Sequence, residues 1–222
     1  MPRIHFHQQL ADLKDRLLAM AALAQQAVES SVDAYVNSDE SLCQYVRENE
    51  TAINLAQREV DEMAYDLLAK EQPMAVDLRF ILAVIKINGD LERIGDQAMG
   101  IVRRTRDILH STRPELPVDL ATMGEYATRM IRTSLLALLD GDAQVAETVL
   151  TMDDEIDELN RQAQRNLMGE IERQPEMAEH ALLAIMIARS LERIADHATN
   201  IATDVIFWIR GADLRHPMSM VD

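Results

Sequence analysis

The segment Leu91-Glu92-Arg93-Ile94-Gly95-Asp96-Gln97-Ala98 returns one hundred residues later as Leu191-Glu192-Arg193-Ile194-Ala195-Asp196-His197-Ala198. Six of the eight positions are identical, and extending the comparison to Phe80–Arg104 against His180–Asp204 gives ten identities in 25. Among them are Leu82/Leu182, Ile85/Ile185, Ile87/Ile187 and Ile101/Ile201. The chain therefore reads as two copies of one unit. Beyond the apolar positions, both copies keep a Glu and an Asp four residues apart.

Working outward, helix breakers divide the sequence into six amphipathic stretches. From Phe6 to about Asn37, Leu10, Leu13, Leu17, Met20, Ala24, Ala27, Val28 and Ser31 recur at three- and four-residue steps, the mark of a helix with one buried face. Asn37-Ser38-Asp39 reads as a stop and an N-cap. A second helix then runs to about Lys70 with Val46, Ile53, Val60, Ala64 and Leu67 inward. Pro73 marks a turn, a third helix runs from about Ala75 to His110, and Pro114 and Pro117 break the chain. The fourth helix spans about Asp119 to Leu139 and ends at Asp140-Gly141-Asp142. The fifth, about Ala143 to Ile171, carries Met152, Ile156, Leu159, Ala163 and Leu167 inward. Pro175 opens the sixth, about Glu176 to Arg210, which Gly211 closes. The expected fold is all-α: two tandem antiparallel three-helix bundles related by an internal repeat. Residues 1–113 and 118–212 form the two bundles in this reading, and residues 213–222 a tail.

Composition fits this reading and removes several functions. Aromatic residues are 4% of the 222, and Gly and Pro are few, which suits helices packed on helices. A net charge of −16, from 38 acidic and 22 basic residues, argues against nucleic acid as a partner, because phosphate neutralisation needs concentrated Lys and Arg. It points to cations or a basic protein surface. The single Cys43 excludes an internal disulfide framework and suits a reducing compartment. No signal peptide is visible. The longest apolar run, Ala181–Ala188, is far short of the roughly 20 residues that span a bilayer. A cytoplasmic protein with no membrane insertion is expected.

The carboxylates carry the chemistry. In the third helix Ile87, Leu91, Ile94, Ala98 and Ile101 form one core-facing stripe, and Glu92 and Asp96 fall off it, as Glu192 and Asp196 do in the sixth helix. In the second helix Glu50, Asn54, Gln57 and Asp61 run along the edge of the inward stripe; Asp153, Asp157, Asn160 and Gln164 do so in the fifth. Antiparallel packing would gather Glu50, Asp61, Glu92 and Asp96 in one half and Asp153, Asp157, Glu192 and Asp196 in the other. Such oxygen-rich sets suit Mg²⁺, Mn²⁺ or iron, and His197 would add a nitrogen ligand in the second half. A charged helix face is usually only a solvated face, and chance alone supplies about six acid pairs at this spacing. Recurrence in both copies, with acids on the preceding helix each time, favours a site.

Other constellations are weaker. His5, His7, His110, His180 and His216 have no evident partners, and the thirteen Met read as core filler. No Glu stands three residues before a His, as a ferritin-like di-metal centre would want. There is no Gly-rich phosphate loop, nucleophile elbow or zinc-type Cys pair, so nothing marks an enzyme.

The repeated L-E-R-I-[GA]-D segments, with Gln72-Pro73 and Asp77-Leu78-Arg79 ahead of the first, closely resemble the PhoU family of phosphate-transport regulators. His197-Ala198-Thr199-Asn200-Ile201-Ala202 and Ile206-Phe207-Trp208-Ile209-Arg210-Gly211 extend the likeness over nearly the whole chain. The resemblance implies multinuclear clusters of metal ions (Mg, Mn, Fe or Zn) on E/D-x-x-x-D motifs, and homodimers. It also implies a non-enzymatic role: coupling a phosphate ABC transporter to a phosphate-sensing histidine kinase and repressing the starvation response when phosphate is ample. Glu92/Asp96, Glu192/Asp196 and Asp153/Asp157 match the family's motifs. Glu50 is followed at the fourth position by Asn54, where Asp is frequent, so the first site is expected to hold fewer ions or hold them less tightly. A metal-dependent enzyme acting on phosphate compounds and a metal-free helical scaffold stand as alternatives.

Overall fold

A computed structural model describes residues 2–109 and 116–211. In them the chain forms six helices: α1 (Pro2–Asn37), α2 (Glu40–Glu71), α3 (Val76–Leu109), α4 (Leu120–Asp140), α5 (Ala143–Arg173) and α6 (Ala178–Arg210), with a 3₁₀ turn at Pro175–Met177. The fold is all-α, as the periodicity predicts. His110, Pro114, His216 and the tail 213–222 lie outside the described residues.

The helix ends are set by local chemistry. Asp39 accepts hydrogen bonds from the Ser41 amide and hydroxyl, and Asp119 accepts them from the amide and hydroxyl of Thr122. Each satisfies donors that a helix start otherwise leaves open. Gly141, at φ 63°, closes α4, and Asp142 immediately caps α5 through the amides of Gln144 and Val145. That left-handed φ suits a residue without Cβ. Pro175 does not open α6 directly. It heads the 3₁₀ turn, and α6 begins three residues later.

The three helices of each half pack on one another, and the halves join through α3 against α6 and α1 against α4. Among the described residues α2 touches only α1 and α3, and α5 only α4, α6 and the 3₁₀ turn. The helices α1, α3, α6 and α4 thus contact one another in a closed ring, flanked by α2 and α5. One continuous apolar core runs through both halves.

Helices α3 and α6 are antiparallel, since partner numbers fall on one as they rise on the other. Arg79 donates to the Trp208 carbonyl, Lys86 pairs with Asp204, and Asp90 meets His197 and Asn200. Asp90 faces Asn200 while Gly100 lies against Ser190, the same two repeat positions exchanged, so an approximate two-fold relates the halves near residues 95 and 195. The burial pattern of 91–98 is reproduced at 191–198 position by position. Leu91, Ile94, Gly95 and Ala98 and their counterparts are buried; the Glu is half-buried, and the Arg and Asp are exposed.

The other seam, α1 against α4, is close at Gly124. A Cβ there would lie 2.6 Å from both Val32 methyl carbons and 3.1 Å from Val32 Cβ, and a β-branched side chain has little rotamer freedom with which to yield. Gly169, also within a helix, has nothing within 4 Å of the equivalent point. The two glycines should therefore respond oppositely to Ala in chemical denaturation. Gly124→Ala should cost about 1–3 kcal/mol by overpacking, recovered in part by Val32→Ala, whereas Gly169→Ala should gain up to about 1 kcal/mol of helix propensity. Equal shifts at both sites would refute the close seam.

Candidate metal centre

The eight predicted carboxylates sort into two groups. In the second half all four stand within electrostatic influence of one another. Asp153 and Asp157 are half-buried on α5 and act electrostatically on Asp196, while Asp157 and Asp196 act on Glu192. Thr199, one turn from Asp196, donates from Oγ1 to Asp153 Oδ1 at 3.1 Å. In the first half three are linked in this way, Glu92 standing within the influence of Asp96 and Glu50. Asp61 accepts from Asn88 Nδ2 at 2.9 Å, one turn of α3 before Glu92. The edge row is as expected: Glu50, Asn54, Gln57 and Asp61 are half-buried, and Asp153, Asp157, Asn160 and Gln164 are half-buried or buried.

The electrostatics explain what these sets lack. Burial pushes the Glu92 carboxyl above the ordinary range, with Asp96 and Glu50 adding to it and Arg93 opposing. Desolvation by the packed helices likewise raises Glu192, Asp153 and, although that residue is exposed overall, Asp196. Asp196 and Asp157 add to the first of these, Asp157 to the second and Asp153 and Asp157 to the third. Among the described residues Glu50, Glu92, Asp96, Asp153, Glu192 and Asp196 form no ion pair, and Asp157 has only Arg161 at 3.7 Å. Elsewhere acids are answered, as in Arg16–Glu59, Arg132–Glu29 and Arg210–Glu147.

Unneutralised oxygen donors fit a hard cation in charge and donor type. They do not form a closed shell: among the described residues no three His, Cys, Asp or Glu side chains converge as a set ready to hold a metal ion.

His197, expected to add a nitrogen ligand in the second half, is also held to the first. Its Nδ1 lies 2.8 Å from Asp90 Oδ1 on α3, and the ring stands near enough to act on both Glu92 and Asp196. An ionised carboxylate only accepts, so Nδ1 then carries the hydrogen, and Nε2 of the neutral ring keeps its lone pair. Sequence reasoning missed Asp90 and Thr199. The only signal for Asp90 is an acid directly before the core residue Leu91.

Comparison with known proteins follows the two repeats. The PhoU domain matches twice, at residues 17–105 and 120–205. The chain belongs to the PhoU family. It is 37% identical over 212 residues to the phosphate-specific transport system accessory protein PhoU homolog of Pseudomonas aeruginosa, covering 95% of this chain and 88% of that one. It is 28% identical to Escherichia coli PhoU over 95% of this chain and 88% of that one. The crystal structure of PhoU from P. aeruginosa superposes with a TM-score of 0.90 at 36% identity, over 93% of this chain and all of that one. The phosphate transport system regulatory protein PhoU from Streptococcus pneumoniae does so with 0.87 at 25% identity, over 94% and 99%. Among the described residues no helix is long and apolar enough to cross a membrane.

Carboxyls raised above their unfolded values leave the folded chain holding extra protons between about pH 4 and those raised values. The stability these groups contribute therefore falls as pH rises through that window. In chelator, a Glu92→Gln, Asp153→Asn, Glu192→Gln, Asp196→Asn variant should match the parent's thermal midpoint near the bottom of the window and exceed it increasingly toward neutrality. A midpoint difference that does not change with pH would show that the carboxylates are not in conflict.

Proposed function

We propose that this PhoU-family chain is a non-enzymatic, metal-loaded regulator of phosphate transport. It works in the cytoplasm as a homodimer, docks on the ATPase of a phosphate ABC transporter and on a phosphate-sensing histidine kinase, and represses the starvation response when phosphate is ample. The observation that carries the reading is the pair of PhoU-domain matches, one on each repeat. The names of the relatives, accessory and regulatory proteins of phosphate transport, support the same role.

Glu50, Glu92 and Asp96 with Asp61 nearby, and Asp153, Asp157, Glu192 and Asp196, are the residues that would hold the ions. Each bound divalent ion would offset two carboxylates and so reset the charge of the α2/α3 and α5/α6 faces. Three Arg side chains, Arg93, Arg189 and Arg193, are exposed beside the acids and are available to a partner's carboxylates. Leu78, Leu82, Leu182 and Met186 are 36–51% exposed along α3 and α6, leaving apolar surface for contacts between copies or with partners. A metal-dependent hydrolase would also use clustered cations and would need a positioned general base, for which His197, held by Asp90, would be the candidate.

Elemental analysis of untagged protein, beside a variant with Glu92, Asp96, Glu192 and Asp196 changed to Ala, tests the metal step. The parent should carry bound divalent or iron-type ions and the variant should lose them. Binding to the transporter ATPase should weaken with chelator and with the variant alike. A parent that stays metal-free in roughly millimolar Mg²⁺ or Mn²⁺ would refute metal loading, and turnover of phosphate esters lost in the variant would favour the hydrolase.

A further inference from the structure

Three arginines of this acidic chain line one cavity. Between α2 and the C-terminal part of α3, a cleft of about 350 Å³ is bounded by Arg47, Glu50, Met99, Val102, Arg103 and Arg106. Its size falls at the small end of small-molecule pockets. Arg47 and Arg103 are exposed and make no hydrogen bond or ion pair among the described residues. Arg106 Nε lies 3.8 Å from Glu40 Oε1, beyond hydrogen-bond distance, and that nitrogen is buried without an acceptor. With 38 acids against 22 basic residues, an arginine here finds a carboxylate easily. Arg16, Arg132, Arg161, Arg165, Arg173 and Arg210 have done so, whereas Arg93, Arg129, Arg189 and Arg193, like Arg47 and Arg103, have not among the described residues. What sets Arg47 and Arg103 apart is that they share one cleft with Arg106.

The repeat provides an internal control. Equivalent places in the second half hold Leu150 for Arg47, Asp153 for Glu50, Thr203 for Arg103 and Ile206 for Arg106. The acid is kept and the three cations are not. The cationic cleft is thus a feature of the first half alone, and the acidic motif does not require it.

Guanidinium groups are donor forks matched to oxyanions. Three of them, against Glu50 in the cleft and Glu40 at 3.8 Å from Arg106, leave the cleft net positive, which suits an oxyanion. Glu50 refines the choice. A hydrogen phosphate group carries an O–H that a carboxylate can accept, whereas sulfate presents only acceptors and would meet Glu50 as a like charge. We propose that the cleft lined by Arg47, Arg103 and Arg106 binds a hydrogen phosphate group, either free orthophosphate or the phosphate of a monoester. The inference stands on these side chains and does not rest on the regulatory reading.

Equilibrium dialysis of the full chain against labelled orthophosphate, in buffer free of sulfate, is the test, run with chelator and again without it. Saturable binding is expected in both conditions. Arg47→Ala with Arg103→Ala should weaken it at least about tenfold, since each removes charged donors. Lys at both positions should restore part of the affinity. Arg129→Ala, on α4, should leave it unchanged. Both cleft residues are exposed, so far-ultraviolet circular dichroism should show the helices intact. Sulfate should compete poorly with the parent and better with Glu50→Gln. Glycerol phosphate competing more strongly than orthophosphate would identify an ester as the occupant, and weaker competition the free ion. No saturable binding, binding abolished by chelator, or binding indifferent to the arginine pair would each overturn the proposal.

Discussion

The antiparallel contact of α3 with α6 is the constraint from which the rest of the architecture follows. It joins the two repeats through their most similar segments, so one helix surface must serve both as the core of its own bundle and as half of a seam. This explains why α3 buries Val84, Asn88, Asp90, Gly95 and Val102 beyond the stripe of Ile87, Leu91, Ile94, Ala98 and Ile101. A two-helix contact would need only that stripe; packing against α1, α2 and α6 together leaves α3 a narrow solvent face. On that face, and at its margin, the acidic motif sits.

The seam also holds polar groups that an apolar interface would not tolerate unpaired. Asp90 is 6% exposed, yet it has His197 at 2.8 Å and Asn200 at 3.4 Å. A buried carboxylate with such partners adds little net stability over an apolar pair, but removing one partner strands a charge. Its effect is to fix register: sliding α3 by one turn along α6 would separate Asp90 from both. The same contact ties His197 to the first half while Asp196, its neighbour in sequence, faces Asp153 and Asp157. The two acidic groups are thereby linked through two adjacent residues of α6.

Much of this was legible in the sequence because its signals are local. Asp39, Pro73, Asp119, Gly141 and Gly211 mark helix ends, and the observed boundaries fall close to those read from them. The largest differences are at the ends of helices, where α1 starts at Pro2 instead of about Phe6 and Pro175 heads a 3₁₀ turn. The carboxylate rows were legible too, because a helix converts spacing into a face. What could not be read depends on the register between one helix and another. Asp61 turns to Asn88, His197 to Asp90, and Thr199 to Asp153; each pairing needs the antiparallel offset, which no single helix encodes. The seam of Gly124 against Val32 is hidden for the same reason, since a helical glycine looks the same whether it faces a neighbour or solvent.

The two copies have diverged unevenly, and the pattern of divergence separates packing from chemistry. Where the repeats meet their own core, substitutions stay apolar and small, as with Gly95 and Ala195. Where they meet solvent at the acidic motif, Glu, Arg and Asp are kept in both. At the margin of α2 and α3 the first copy has placed three arginines around Glu50, while the second has Leu150, Thr203 and Ile206 around Asp153. A fold held only by its core would tolerate either solution in either half. Arg47 and Arg103 make no ion pair among the described residues, and together with Arg106 they line one cleft; surface ion pairing would add little to the fold there, which leaves an anion as the better account of their grouping.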